Sequence, residues 1–293
     1  MDELSKRARA LSAAIEPVAG QVYFSPECHA NYQALGFAGS PGEFGGVAGP
    51  DGPAYFTSRG SVMGQVPGEV VACAFGVFNP AAVVPAVDFG WSLTDAATIC
   101  DARDRGAIDQ LERILGEKPE GIDRANELAA RAVDTLRPEG RPLYAGLASL
   151  DLPGSPVGDL WRRLDMLREF RGDAHVSAWT TAGIDATEIN LLTEAYWGMP
   201  MRSYSRTRAW SDAEFDAAEE RLVARGLLQD GAITDAGRDE REGVEVRTDA
   251  QCRPFVDALG DDADELVSIL LPYGAAIRAA KGYLSAGPAD LAG

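Results

Sequence analysis

At 293 residues, with 46% apolar and 8% aromatic side chains, the chain is long enough for two modules of similar size and too apolar for disorder. Its net charge of −18 repels phosphate backbones and anionic membranes, so any nucleic-acid site has to be a local basic patch. No run approaches the ~20 apolar residues of a membrane span, the N-terminus lacks the apolar core of a signal peptide, and Cys28, Cys73, Cys100 and Cys252 show no CxxC spacing; a cytoplasmic protein with free buried thiols and no membrane partner is expected.

In chain order, Leu4, Ala8, Leu11, Ile15 and Val18 recur at helical spacing, and Pro26 is suited to open a second helix. PECHANY places Glu27, Cys28 and His29 in a row, but neighbours on a helix diverge, so no metal site is expected there. The Gly/Pro-rich loop 36–53 reads as irregular chain, either a lid or a plain insert. Arg59, in FTSRGSVMG, is placed to hold a carboxylate bidentately or to sit exposed in a loop. GEVVACAFGVFNPAAVVPAVDFGWSL is core, either a helix broken at Pro80 and Pro85 or a strand and a helix. Two amphipathic helices follow, near 95–115 and 121–136, and Pro/Gly content places a linker at 139–156. The expected division is an N-terminal helical domain, 1–138, and a second domain, 157–293.

The second domain begins with a helix from Val157 to about Phe170 and a further helical stretch from Asp173 to Thr181. Within FRGDAHVSAW, Arg171 and His175 fall at i and i+4 on one face, where they could clamp an anionic ligand, with Asp173 capping the helix start. The plainer alternative is a capped helix whose histidine bonds a nearby carbonyl. Asp185 and Glu188, then Ser211 and Glu214, have capping-box spacing and predict two more helices. Leu227-Leu228, the turn Asp230-Gly231 and Ala232-Ile233 predict a hairpin, followed by long helices from Asp235 to about Leu259 and Asp261 to about Tyr283. The fold class is mostly α: two helical modules, the C-terminal one a winged helix-turn-helix with a short two-stranded wing.

LVARGLLQDGAITDAGRDE resembles the helix-to-wing segment of MarR-like regulators. YFSPE (Tyr23–Glu27), FNPA (Phe78–Ala81), GRPLYA (Gly140–Ala145) and LREFRGDAHV (Leu167–Val176) resemble an actinobacterial, largely uncharacterised helix-turn-helix family. That second resemblance implies a DNA-binding fold, with a histidine common where this chain has Phe170. The MarR-like one implies homodimerisation through the C-terminal helices.

The helix entering the wing carries Asp212, Glu214, Asp216, Glu219 and Glu220 before its first arginine, and the wing 229–235 has no cation, the wrong sign for a phosphate backbone. In MRSYSRTR, however, Arg202, Tyr204, Arg206 and Arg208 could contact DNA if DATEINLLTEAY, with Asn190 and Thr193, is the reading helix. The alternative is salt bridging to the acidic helix that follows. P-loop, GxGxxG, HExxH and GxSxG patterns are missing, so no cofactor is expected. The leading expectation is a regulator responsive to a small, partly apolar molecule, anionic or neutral, with double-stranded DNA among its partners. The alternative is a binding protein or enzyme of specialised metabolism built on the same scaffold. Both place Arg59, Arg171, Asp173 and His175 at a pocket between the modules.

Overall fold

A computed structural model describes residues 1–285. Among them the chain is mostly helical, with two small antiparallel hairpins. Helices α1 (Glu3–Gly20) and α2 (Pro26–Ala34) open it, Pro26 lying in the first turn of α2 behind the Ser25 cap. The Gly-rich stretch is more ordered than its composition suggests. Strands β1 (Glu43–Phe44) and β2 (Val47–Ala48) pair across Gly45-Gly46, both at positive φ, and Val47 is buried. Two glycines with left-handed backbone are what a two-residue hairpin turn demands.

The ambiguous apolar run forms two helices and no strand, with a break at 76–79. After α3 (Gly52–Gly60) come α4 (Gly68–Phe75) and α5 (Pro80–Leu93), with Asn79 capping α5 and Pro85 inside it. The two amphipathic helices are α6 (Ala96–Leu115) and α7 (Ile122–Val133). The stretch expected as a linker carries α8 (Pro142–Ala148), packed on α9 (Pro156–Thr181). The latter is one continuous helix of 26 residues where two were expected; Gly172 does not interrupt it. An interior glycine costs only ~1 kcal/mol, which flanking tertiary packing offsets.

The winged-helix portion follows the sequence closely. Helices α10 (Ala186–Tyr196) and α11 (Asp212–Ala224) each start with a complete capping box, from Asp185 with Glu188 and from Ser211 with Glu214. Strands β3 (Leu228–Gln229) and β4 (Ala232–Ile233) form the hairpin, with Asp230 (φ 50°) and Gly231 (φ 75°) at its tip. Thr234 caps α12 (Asp235–Gln251), and only glycine fits at 237, since a Cβ there would lie 2.2 Å from the Leu227 carbonyl oxygen. Helices α13 (Arg253–Leu259) and α14 (Ala263–Ala279) follow.

Buried apolar side chains form two clusters. The smaller joins Trp179, Ile189, Leu192, Phe215, Leu222 and Val244. The larger gathers α1–α8 with most of α9, and also α13 and α14. The C-terminal helices therefore spend their apolar faces on α1, α6 and α7 of the same chain. Helix α9 belongs to both clusters: Trp161, Leu164 and Phe170 lie in the larger, Ala178 and Trp179 in the smaller. At 1.5 Å per residue this shared strut is about 39 Å long, and its middle is where the two clusters part.

Candidate functional site

At that parting lies a cavity of about 340 Å³, at the lower end of the roughly 300–1,000 Å³ usual for small-molecule sites. Its wall takes Arg168, Arg171, Gly172, His175 and Val176 from one face of α9, and faces from α1, α3, α10 and α12 close around them. Aromatic rings of Tyr55, Phe75, Phe78, Trp197 and Tyr204 supply much of the remaining surface. Arg59, Arg171 and His175, three of the expected pocket residues, line it.

Asp173 does not line it. It points to the opposite side of α9 and accepts the Tyr144 backbone N–H at 3.0 Å, capping α8 across the fold instead of the start of its own helix. Phe170, where the family resemblance leads one to expect histidine, is buried against Tyr144 and Phe255.

The cavity wall is strongly charged and unevenly paired. Arg59 grips Glu169 with two bonds, Nε at 3.0 Å and Nη2 at 2.8 Å, and lies over the Phe75 ring at 4.4 Å. Arg168 bridges Glu169 and Glu16, while Tyr23 and Tyr283 donate to those two carboxylates. Burial alone would raise the Glu169 carboxyl, but Arg59 and then Arg168 outweigh it and hold it at about 2. On the opposite wall Arg171 and Arg241 share Glu245. Burial likewise opposes ionisation of Glu245, and Arg241 and Arg171 overcome it.

Arg208 differs from these. It stacks over Phe78 (4.6 Å) and Tyr204 (4.5 Å) and donates to the Tyr204 hydroxyl, yet no carboxylate among the described residues pairs with it, and its buried Nε has no partner. Five arginines (59, 168, 171, 208 and 241) thus face three glutamates (16, 169 and 245) in the lining. In a chain of net charge −18 this is a local excess of positive charge.

The residues expected to contact DNA are divided by the fold. Tyr204 and Arg208 line the cavity. Arg202 bonds Asp216 (2.7 Å) and Glu219 (3.0 Å), and Arg206 pairs with Asp212 (3.3 Å), all on α11. Asn190 and Thr193 of α10 also face the cavity, so α10 does not present them as a reading face. Sequence reasoning missed what holds this loop. Glu194, near the end of α10, is fully buried and accepts the backbone N–H groups of Arg202, Tyr204 and Ser205 at 2.6–2.7 Å. A buried carboxylate satisfied by backbone donors fixes a loop whose Arg202 and Ala209 both take left-handed backbone.

Glu27, Cys28 and His29 diverge as expected, toward Arg113, the Arg103 carbonyl and the Tyr23 carbonyl. Among the described residues no His, Cys, Asp and Glu cluster suits a metal, and Cys73, unlike the other three cysteines, is exposed. Among the described residues no helix is long and apolar enough to cross a membrane. A wider surface depression of about 590 Å³ beside the β1–β2 hairpin contains none of the expected site residues.

With α10, α11 and the β3–β4 hairpin assembled on α9 and α12, the sequence comparison decides the grouping: a helix-turn-helix family model matches residues 8–284. The chain belongs to this helix-turn-helix family. Membership suggests DNA binding or regulation. No curated protein and no solved structure matches the chain. The match of this helix-turn-helix protein spans the whole cavity wall, from Ser12 to Leu284.

Asp173 and His175 stand two residues apart on α9 with opposite shifts. Burial pushes Asp173 up to about 7 against the pull of the Tyr144 N–H. Burial lowers His175 to about 4 against the pull of Glu245. Between about pH 4 and 7 folded Asp173 keeps a proton that the unfolded chain has released, so its contribution to stability falls as pH rises. Between about pH 4 and 6.5 unfolded His175 takes a proton that the folded form refuses, so its contribution falls as pH drops. Each amounts to about 2 kcal/mol between pH 5 and 7, and in the native chain they offset. Urea midpoints should therefore drop on acidification from pH 7 to 5 in Asp173→Asn and rise over the same range in His175→Gln. Parallel slopes in the two variants would contradict these assignments.

Proposed function

We propose that this helix-turn-helix protein is a regulator that binds a small, partly apolar organic anion in the cavity between its two apolar clusters, and that occupancy controls its interactions. The observation that carries this reading is Arg208: a guanidinium in the cavity wall, stacked between two rings, with no carboxylate partner among the described residues and a buried nitrogen unsatisfied. A ligand carboxylate meeting Arg208 would gain a charge-assisted bond without first having to displace an internal ion pair. Arg59 and Arg171 support the same sign of ligand, but their bonds to Glu169, Glu245 and Asp249 make them walls rather than anchors.

Calorimetric titration with aryl carboxylates, from phenylacetate to naphthoate, tests the reading. Binding to the wild-type protein is expected, weakened about tenfold or more in Arg208→Ala, the range for a hydrogen bond to a charged group. Absence of binding across the series, or equal binding to the variant, overturns it.

The acid on α11 argues against duplex reading by that helix in either case and favours a second reading, a scaffold turned ligand-binding protein or enzyme of specialised metabolism. Recovery of the bound acid chemically unchanged after long incubation would exclude the enzyme form of that reading for that ligand.

A further inference from the structure

The cavity wall also contains an acceptor of fixed orientation. His175 Nδ1 lies 3.3 Å from the Thr248 hydroxyl oxygen on α12. That hydroxyl donates its one hydrogen to the Val244 carbonyl at 2.8 Å. Thr248 therefore accepts from the ring, which places the imidazole hydrogen on Nδ1 and leaves Nε2 with a bare lone pair. No protein group among the described residues bonds Nε2, and His175 lines the cavity. The other side-chain acceptors there are largely spent: Glu16, Glu169 and Glu245 all bond arginines. Arg171, Arg241 and Glu245 are the charged groups that face the ring; burial, aided by Arg241 and Arg171, outweighs Glu245 and keeps it uncharged near neutrality, so Nε2 does not turn into a donor.

We infer that His175 is a specificity-determining residue, and that the cavity selects organic anions that also carry a hydroxyl or N–H donor, aromatic hydroxy acids above all. Arg208 takes the carboxylate, the rings of Phe75, Phe78 and Trp197 take the aryl body, and Nε2 of His175 accepts the hydroxyl hydrogen. This rests on the reading of the cavity as an anion site.

The test compares acids in pairs, 4-hydroxyphenylacetate with phenylacetate and 3-(4-hydroxyphenyl)propanoate with 3-phenylpropanoate, in the wild-type protein and in His175→Leu. One neutral hydrogen bond predicts that the better-fitting hydroxy acid binds about fivefold to tenfold tighter than its parent. In His175→Leu that ratio should fall to about one, whatever the change in the affinity for the parent acid itself. Equal binding within both pairs, or a ratio unchanged in the variant, overturns the inference and leaves the anion site standing; failure of every acid to bind overturns both.

Nitrogen NMR of labelled histidine in the wild-type protein gives a readout independent of the variant's folding. The chain has two histidines, and His29, whose Nε2 donates to the Tyr23 carbonyl, should show the opposite tautomer. The expected result is His175 protonated at Nδ1, with its Nε2 resonance moving on addition of the hydroxy acid and not of its parent. Protonation at Nε2 in the free protein sinks the inference.

Discussion

Replacing Glu169 with alanine is expected to destabilise the protein by about 3–5 kcal/mol, the range for removing one partner of a buried ion pair. The carboxylate is 3% exposed and receives Arg59, Arg168 and Tyr23. Without it Arg168 keeps Glu16, but Arg59 retains only the Tyr55 hydroxyl and the faces of Phe75 and Tyr23. A stranded guanidinium beside the larger apolar cluster, not the loss of one contact, sets the size of the effect. By contrast, breaking the exposed Arg206 and Asp212 pair by Arg206→Ala should change stability by no more than about 0.5 kcal/mol. Urea unfolding with unchanged slope measures both. A loss below about 1 kcal/mol for Glu169→Ala would mean that water reaches the Arg59 site and that the cavity wall is less closed than described.

What the sequence discloses and what it hides follow one physical division. Capping boxes, the Asp-Gly turn and proline at a first helical turn satisfy backbone groups with residues two or three positions away, so the starts of α2, α10 and α11 and the β3–β4 hairpin are legible. The same logic was available for Gly45-Gly46 and was obscured by the surrounding glycines. The partners of the cavity arginines are not legible. Arg59 meets Glu169 110 residues on, and Arg171 meets Glu245 74 residues on, contacts that only the packed fold creates. Asp173 is instructive, because a capping role fits its chemistry while the helix it caps, α8, is distant in sequence. Three of the four stretches carrying the family resemblance do converge: Phe78, Leu143 and, from the third, Arg168, Glu169, Arg171, Gly172, His175 and Val176 line the cavity.

The second large effect concerns nucleic acid. The solvent side of α11 carries Asp212, Asp216 and Glu220 at four-residue spacing, with Ala213 and Ala217 between them and Val223 beyond, and the wing tip adds Asp230. Arginines near this surface are engaged: Arg202 and Arg206 with α11, Arg221 and Arg225 with Asp185 and Glu188. Those pairs neutralise part of the acid without producing a positive face. A duplex brought to this helix meets carboxylates and small side chains where donors to phosphate and base edges are required.

The account is tested most directly by titrating a fluorescent duplex with the wild-type protein at low salt, where even sequence-independent binders engage DNA more tightly than the ~10⁻⁴–10⁻⁶ M typical at physiological salt. It predicts no saturable binding up to about 10⁻⁴ M protein. Saturable binding that weakens with added salt, and is lost when Arg202 and Arg206 are both replaced by alanine, would contradict it.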